Sequence, residues 1–412
     1  MKFKHRDDEF LESKIEKLVF IESKQYRDMK EGPVYGKYFE ETGVYNIFPG
    51  ALFGTEFYLG EILCRDAQIP NKGFCGKITD MGVEFYSDGE KIKIEQHSLY
   101  MDIFSRNSGI LETKMMEKKG AVILGCGSVG SLVAIELAKS GIGNLFLIDP
   151  DMLEYHNLCR HQCGLDDVGD LKVNALKRKL LRINPQLNIK TSATVVENAP
   201  QKELEKFCSI NTDNIFIGCA DNRIADVYGN QIAIYFKASF ISIGFWERAY
   251  AGEIFYHIPG ENMPCYYCAL GDGGGLSERA IANHHVYSME EDLELVKFEP
   301  GISVDINFIT TIGIKIALDL LNKNDEGYSR FQRDPYSCQN YSYCSFRNRI
   351  CDRMESGQQY YGTGIQCMGR SWLCIRTDRG NVPVLEKNQP GRCSCRNRFR
   401  RPDCYYLGLH TS

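Results

Sequence analysis

The chain has 412 residues, of which 43% are hydrophobic and 25% charged, and its net charge is −5. This balance is typical of folded globular proteins and excludes a fibrous or wholly disordered chain, and the length is enough for two or three domains. No uninterrupted run of 18 apolar residues occurs, and residues 1–20 mix both charges, so we expect neither a membrane-spanning helix nor a secretory signal. Most of the 17 cysteines are therefore interpreted as reduced thiols of a cytoplasmic protein.

Residues 1–98 are predicted to form a small α+β domain. The apolar spacing of residues 10–20 predicts a helix. Residues 82–86 and 91–94 are short strand-like runs on either side of Asp88-Gly89, a pair that favours a tight hairpin turn. No motif in this domain indicates chemistry, and only its position suggests a role in recognising a substrate.

From residue 120 the pattern becomes strand, glycine-rich turn and helix. The apolar residues 121–124 are followed by a G-x-G-x-x-G motif formed by Gly125, Gly127 and Gly130, then by an amphipathic helix and a second apolar strand that ends in Asp149. Such glycines let a backbone approach phosphates at the N-terminus of a helix, and an acid about 20 residues later binds ribose hydroxyls. The pattern predicts a nucleotide site but no reaction, and an ordinary NAD enzyme fits it equally well.

Several motifs further along separate these options. The second strand continues into a segment that contains Asp151, Asn157 and Arg160, and Lys172 opens another predicted helix. A later apolar strand ends in Asp221-Asn222. The remaining motifs are a C-x-x-C pair at Cys265 and Cys268 and, upstream of the glycines, the stretch that contains Arg106.

In these motifs and their order, residues 99 to 322 resemble the ThiF/MoeB/HesA family, the bacterial relatives of ubiquitin-activating enzymes. The resemblance implies a Rossmann-like, doubly wound α/β adenylation domain, which we place at residues 99–330. It also implies ATP-dependent adenylation of the C-terminal carboxylate of a small ubiquitin-like protein or peptide, with release of pyrophosphate. A hydride-transfer site has no need for an Asn, Arg and Lys array just after the ribose acid, which argues against a dehydrogenase.

The resemblance also implies roles for single residues. Asp149 would hold the ribose; Asn157, Arg160 and Lys172 would hold the phosphates; Asp221 would hold Mg²⁺, which prefers oxygen ligands. Arg106 matches an arginine that reaches across a homodimer interface in the family. The complete predicted nucleotide site comprises Gly125, Gly127, Gly130, Asp149, Asp151, Asn157, Arg160, Lys172, Asp221 and Asn222, with Arg106, Arg160, Lys172 and Asp221 as the catalytic set.

Three of these residues also have an ordinary structural interpretation. Lys172 would be solvated at the start of a helix, and Arg160 would pair with Asp166 or Asp167. Asp221 would cap the helix that follows its strand.

Two features depart from the family pattern. Residues 269–337 contain no cysteine, so we expect adenylation without an enzyme thioester, and His284 and His285 in this stretch are interpreted as solvated loop residues. By resemblance, Cys265 and Cys268 would supply half of a structural Cys₄ zinc site. No second C-x-x-C follows in this sequence, so the zinc site is incomplete.

The composition changes near residue 330. Residues 1–330 carry a net charge of −12 and 33 isoleucines, whereas residues 331–412 carry +7, three isoleucines and eight cysteines. Two interpretations stay open: a genuine Cys/Arg-rich tail, or a shift of reading frame around residues 323–338 that makes the tail an artefact. Because residues 331–412 lack helical or strand periodicity, we expect this tail to be poorly ordered.

Two other functions remain as alternatives. Relatives of this family activate a carboxylate on a modified tRNA base, and the basic tail would suit a phosphate backbone, whereas the acidic middle of the chain argues against it. The other alternative is a degenerate relative that binds nucleotide and regulates a partner.

Overall fold

The computed structural model describes residues 16–49, 57–245, 249, 251–261, 263–270, 301–328 and 343–347. The chain divides into two compact units, with the boundary after Arg106. The loop with His284 and His285 lies outside the described residues. So does the predicted tail, except for Tyr343–Arg347, which forms a strand.

The first unit, here called the barrel unit, is a closed seven-stranded barrel in the order β1-β3-β2-β4-β5-β6-β7. Its strands are β1 (Leu18–Glu22), β2 (Gly32–Phe39), β3 (Val44–Ile47), β4 (Tyr58–Leu63), β5 (Phe74–Thr79), β6 (Gly82–Ser87) and β7 (Glu90–His97). Two short helices, α1 (Ser23–Arg27) and α2 (Leu99–Ile103), complete it. The unit mixes helix and strand as expected, but strands dominate and their closure removes both sheet edges.

The predicted helix over residues 10–20 is wrong where the structure describes it. Leu18, Val19 and Phe20 begin β1, in which buried Val19 and Ile21 alternate with less buried neighbours. The run Leu-Val-Phe-Ile is rich in β-branched and aromatic residues, and its pairing with β3 and β7 decides for a strand. Residues 10–15 lie outside the described part of the chain.

The predicted hairpin is confirmed. Strands β6 and β7 pair antiparallel, with Ser87 opposite Glu90. Between them, Asp88 and Gly89 have φ angles of 53° and 80°. Two consecutive residues in the left-handed backbone conformation give a turn whose twist matches the right-handed twist of the flanking strands. An Asp-Gly pair is favoured here because both residues tolerate positive φ angles.

The second unit, here called the sheet unit, contains a seven-stranded sheet in the order β10-β9-β8-β11-β12-β13-β14. Its strands are β8 (Gly120–Leu124), β9 (Asn144–Ile148), β10 (Asn188–Ser192), β11 (Asn214–Gly218), β12 (Ser239–Phe245), β13 (Ala251–His257) and β14 (Tyr343–Arg347). The first five are parallel, and β13 and β14 continue the sheet antiparallel.

Helices cover both faces of this sheet. They are α3 (Thr113–Met116), α4 (Ser128–Lys139), α5 (Lys172–Ile183), α6 (Gln201–Ile210), α7 (Arg223–Tyr235), α8 (Tyr266–Leu270) and α9 (Ser303–Leu321). One core cluster joins one face of the sheet to α4, α5 and α9, and a second joins the other face to α6, α7 and α8. This arrangement confirms the predicted Rossmann-like, doubly wound α/β fold. No helix among the described residues is long and apolar enough to cross a membrane.

Candidate active site

The predicted site residues of the sheet unit gather where parallel strands end. The chain runs from β8 outward through β9 to β10, then returns to the other side of β8 with β11 and β12. The strand order therefore reverses between β8 and β11, and ligands of open α/β sheets bind in the crevice at such a point, beyond the carboxyl ends of the strands. The loops after β8, β9 and β11 carry the predicted glycines, Asp149 and Asp221 respectively.

The glycine loop, residues 125–130, needs its glycines for two distinct reasons. Gly125 has φ +94°, and a Cβ on it would lie 2.8 Å from the backbone nitrogen of Ala220. A Cβ on Gly130 would clash with the carbonyl oxygen of Gly125, so α4 packs directly on the loop. At Gly127, by contrast, a Cβ would meet nothing within 4 Å, which leaves the loop open for the approach of a ligand.

The N-terminus of α4 suits an anion. Gly127 is its N-cap residue and supplies no side chain to accept hydrogen bonds from the first turn. Backbone N–H groups at such an end, with the helix dipole behind them, attract phosphate groups.

Asp149 is 5% exposed and ties the glycine loop to the end of β9. Its Oδ2 accepts a hydrogen bond from the N–H of Cys126 at 2.6 Å, and its Oδ1 accepts one from the N–H of Asp151 at 2.8 Å. Burial raises the pKa of the Asp149 carboxyl, although the two hydrogen bonds and the positive charge of Lys172 oppose this. The carboxyl therefore lies beside the glycine loop, where its predicted contact with a ribose requires it.

Lys172 is the first residue of α5, as predicted, and it is mostly buried. Its Nζ donates to Oδ2 of Asp151 at 2.8 Å, and its N–H donates to the Asp151 carbonyl. Asp151 is largely exposed, so this pair holds the ammonium group at the rim beside Asp149. The interpretation of Lys172 as a fully solvated residue is therefore wrong.

Asn157 and Arg160 lie in the turn between β9 and α5. The Oδ1 of Asn157 accepts a hydrogen bond from the N–H of Glu154, which closes a single 3-10 turn. Arg160 is half-buried, and its Nη1 lies 3.8 Å from where a Cβ on Gly301 would stand. Asp167, considered above as its partner, forms an ion pair with Arg178.

Asp221 and Asn222 follow β11, and both are exposed. The Oδ1 of Asn222 accepts a hydrogen bond from the N–H of Ile224, so Asn222, rather than Asp221, caps α7. The carboxylate of Asp221 comes one residue after Ala220, which contacts the glycine loop. An exposed carboxylate is an oxygen ligand of the kind that Mg²⁺ prefers, and the role of Asp221 in holding Mg²⁺ stays a prediction.

His161, which no sequence motif singled out, lies in contact with the glycine loop. It is buried directly beneath the glycine loop, and its Nε2 lies 2.8 Å from the carbonyl oxygen of Cys126. The sequence did offer one signal for a role at the site, since His161 lies in the same short segment as Asn157 and Arg160. A histidine in a polar stretch gave no indication of burial.

Cys265 and Cys268 lie at the start of α8, where the N–H of Cys268 donates to Sγ of Cys265 at 3.4 Å. Within the described ranges, no three His, Cys, Asp or Glu side chains come together as a metal site. That the two thiols form half of a Cys₄ zinc site stays a prediction.

Arg106 lies in a 3-10 turn, Ser105–Asn107, and is exposed. It is the last residue of the barrel unit, whereas the other predicted site residues belong to the sheet unit. Its role at a dimer interface also stays a prediction.

Comparison with known proteins gives the family. The family model described as "ThiF family" matches residues 102–331, more than half of the chain. The chain belongs to the ThiF family. The match includes every site residue predicted above, from Arg106 to Cys268.

Relatives of this ThiF-family chain carry the name ubiquitin-like modifier-activating enzyme 5. The protein from Dictyostelium discoideum is 30% identical over 174 residues, which cover 40% of this chain and 45% of the relative. The protein from Culex quinquefasciatus is 30% identical over 210 residues, which cover 48% and 51%. The chain thus spans about half the length of the curated relatives it matches.

Solved structures with a similar fold include two of Escherichia coli MccB. One covers 69% of this chain and 76% of MccB at 21% identity, with a TM-score of 0.41. The other, of MccB with ATP, covers 53% and 59% at 24% identity, with a TM-score of 0.39.

Proposed function

We propose that this ThiF-family protein adenylates the C-terminal carboxylate of a small ubiquitin-like protein or peptide with ATP and releases pyrophosphate, without an enzyme thioester. The names of its relatives support the class of substrate. The observation that carries the proposal is that the glycine loop, Asp149, Lys172 and Asp221 lie together at the carboxyl ends of neighbouring parallel strands.

The reaction requires the protein to position the carboxylate and ATP and to stabilise negative charge. A carboxylate oxygen attacks the α-phosphorus of ATP, the new bond joins that oxygen to phosphorus, and the bond between the α-phosphorus and the bridging oxygen breaks. The bonding electrons leave with pyrophosphate. No proton moves, because the attacking carboxylate is already ionised, and the barrier therefore falls mainly through alignment and neutralised negative charge.

Each of these residues has a role in binding or charge stabilisation that follows from its position. Asp149 accepts hydrogen bonds from the ribose hydroxyls, while the N-terminus of α4 and the open loop at Gly127 receive the phosphates. Lys172 and Arg160 supply positive charge where negative charge develops. Asp221 would hold Mg²⁺, which neutralises phosphate oxygens when it is bound.

The proposed absence of a thioester is supported by the sequence, since no cysteine lies in residues 269–337. Two cysteines beside the glycine loop are also unsuited to attack, because burial raises the pKa of Cys126 and of Cys219 well above the ordinary thiol value. The acyl-adenylate is therefore the activated product. The proposal also includes a homodimer in which Arg106 reaches across the interface into the neighbouring site. It places the protein in the cytoplasm.

ATP–pyrophosphate exchange tests this function. The full chain should exchange label in the presence of a ubiquitin-like protein or peptide with a free C-terminal carboxylate, and should not with the same peptide as a C-terminal amide. Asp221→Ala should lower exchange by about 100-fold or more, the loss typical when one group that stabilises transition-state charge is removed.

Asp213→Ala is the matched control, because Asp213 stands at the opposite end of the same strand β11 and should leave exchange unchanged. Equal exchange by wild type and Asp221→Ala would refute the role of Asp221. Exchange that does not depend on a free carboxylate would refute the proposed substrate class.

A further inference from the structure

His161 forms two hydrogen bonds to backbone atoms on opposite sides of its ring. Its Nε2 lies 2.8 Å from the carbonyl oxygen of Cys126, and its Nδ1 lies 3.0 Å from the backbone nitrogen of Cys163. A carbonyl can only accept and a backbone N–H can only donate. The ring must therefore carry its proton on Nε2 and keep Nδ1 as an acceptor, which makes His161 neutral with a single defined tautomer.

The surroundings of the ring favour this neutral form. His161 is 7% exposed, and burial lowers the pKa of its imidazole. The positive charges of Lys172 and Lys179 lower it further, while the hydrogen bond to Cys126 and the charge of Asp167 raise it. Protonation would also turn Nδ1 into a donor facing the N–H of Cys163, so the contact itself opposes the imidazolium.

The contact with Cys126 fixes a particular peptide plane. The N–H of Cys126, which belongs to the peptide that joins residues 125 and 126, donates to Asp149. The carbonyl of Cys126 belongs to the next peptide, whose N–H is that of Gly127. In a planar trans peptide these two groups point in opposite directions, so His161 turns the N–H of Gly127 away from the buried side of the loop.

We propose that His161 is a positioning residue that holds the peptide between residues 126 and 127 with its N–H turned toward the bound nucleotide. A flip of this peptide would present a carbonyl oxygen in place of a donor, and an oxygen repels phosphate. This inference rests on the proposed function, since it assigns the nucleotide to the glycine loop.

Two substitutions separate the hydrogen bonds of His161 from its volume. His161→Gln keeps one donor and one acceptor on its amide, whereas His161→Leu keeps the bulk without either group. We expect His161→Leu to raise the KM for ATP and the dissociation constant of Mg-ATP about tenfold, a loss equivalent to one hydrogen bond to a charged group. His161→Gln should remain within a few-fold of wild type, and kcat should change less than KM.

His257→Leu is the matched control. His257 is also buried, and its Nδ1 also lies near a backbone carbonyl, that of Pro264 at 3.3 Å, but it does not contact the glycine loop. Its replacement should leave the affinity for Mg-ATP unchanged. An equal loss of affinity for Mg-ATP in both leucine variants would overturn the proposal, because it would show a general effect of replacing a buried histidine.

Two readouts do not depend on activity. In nitrogen NMR spectra of the wild type at neutral pH, the ring of His161 should show a protonated Nε2 and an unprotonated Nδ1, and the opposite tautomer or an imidazolium would overturn the proposal. Amide hydrogen exchange of the glycine loop should be faster in His161→Leu than in wild type. If the wild type binds Mg-ATP but exchanges no pyrophosphate while these two results hold, the proposed function fails and the positioning role stands; no binding of Mg-ATP at all would overturn both.

Discussion

In the barrel unit, β6 alternates between buried and partly exposed residues, whereas all five residues of β8 in the sheet unit are buried. A barrel strand has an outer face on which polar side chains sit along its whole length, as Glu84 does with Lys91 and Tyr86. A strand covered by helices on both faces has no such side, so its polar groups gather in the loops at its ends. The candidate site lies at one such set of ends.

The two units also differ in their ion pairs. In the sheet unit, Lys119 is fully buried and donates to the Leu321 carbonyl, to Oδ1 of Asn322 at 2.7 Å and to Oδ2 of Asp325 at 2.6 Å. These bonds fasten the C-terminal end of α9 to the start of β8. In the barrel unit, the pair between Lys91 and Glu84 lies on the surface.

The largest expected effect on stability comes from the buried pair. Lys119→Met should lower the free energy of unfolding by about 3–5 kcal/mol, because it removes a buried ammonium group and leaves the partly buried carboxylate of Asp325 without its counter-charge. Lys91→Met, the same substitution at a side chain that is 59% exposed, should cost about 0–1 kcal/mol. Urea denaturation of the full chain, followed by circular dichroism, measures both. Equal losses would break the contrast between the units.

Glycine substitutions give the next largest effect. A Cβ on Gly130 would clash with a backbone oxygen of the glycine loop, which cannot move without distorting the site. Gly130→Ala should therefore destabilise the protein by about 1–3 kcal/mol, the usual range for overpacking. In the barrel, a Cβ on Gly76 would meet the side chains of Ile62, Phe85 and Val83, which can adjust, so Gly76→Ala should cost less.

Gly127→Ala is the control within the loop itself. Its methyl group would meet nothing within 4 Å, so we expect an unchanged melting temperature. The affinity for Mg-ATP should nevertheless fall, because the methyl group would stand on the open side of the loop. Loss of stability in Gly127→Ala, without loss in Gly130→Ala, would contradict this account of the loop.

The smallest effect is a pH dependence of the barrel. The N–H of Gly73, then Lys17 and Ser87, lower the pKa of Asp88 from 3.8 to about 2. Because the folded state holds this carboxylate ionised, its contribution to stability is complete above pH 3.8 and is lost as the pH falls toward 2. Asp88→Asn, which tolerates the φ of 53°, should therefore be less stable than wild type at pH 6 and equal to it near pH 2.

Thermal melting at a series of pH values measures that difference. A gap between wild type and Asp88→Asn that stays constant from pH 6 to the pH range of the lowered pKa would show that the charge of Asp88 does not contribute.

The sequence predicted the elements whose signals are local. Strands β8 and β9, the glycine turn between β8 and α4, and Lys172 at the start of α5 all follow from short apolar runs and turn residues. The hairpin at Asp88-Gly89 is local in the same sense. At residues 18–20 the local pattern predicted a helix, which is wrong, because pairing with β3 and β7 makes these residues a strand.

That the site motifs lie at one edge of the sheet could also be expected from the sequence, because the motifs follow predicted strands and parallel strands place their carboxyl ends at one edge. Closure of the barrel was not readable, since it depends on which strands pair, including the parallel pairing of β1 with β3 and β7. The burial of His161 beneath the glycine loop and of Lys119 beneath α9 was equally hidden. Burial and hydrogen-bond partners far apart in the chain are set by packing, and only the tertiary structure decides them.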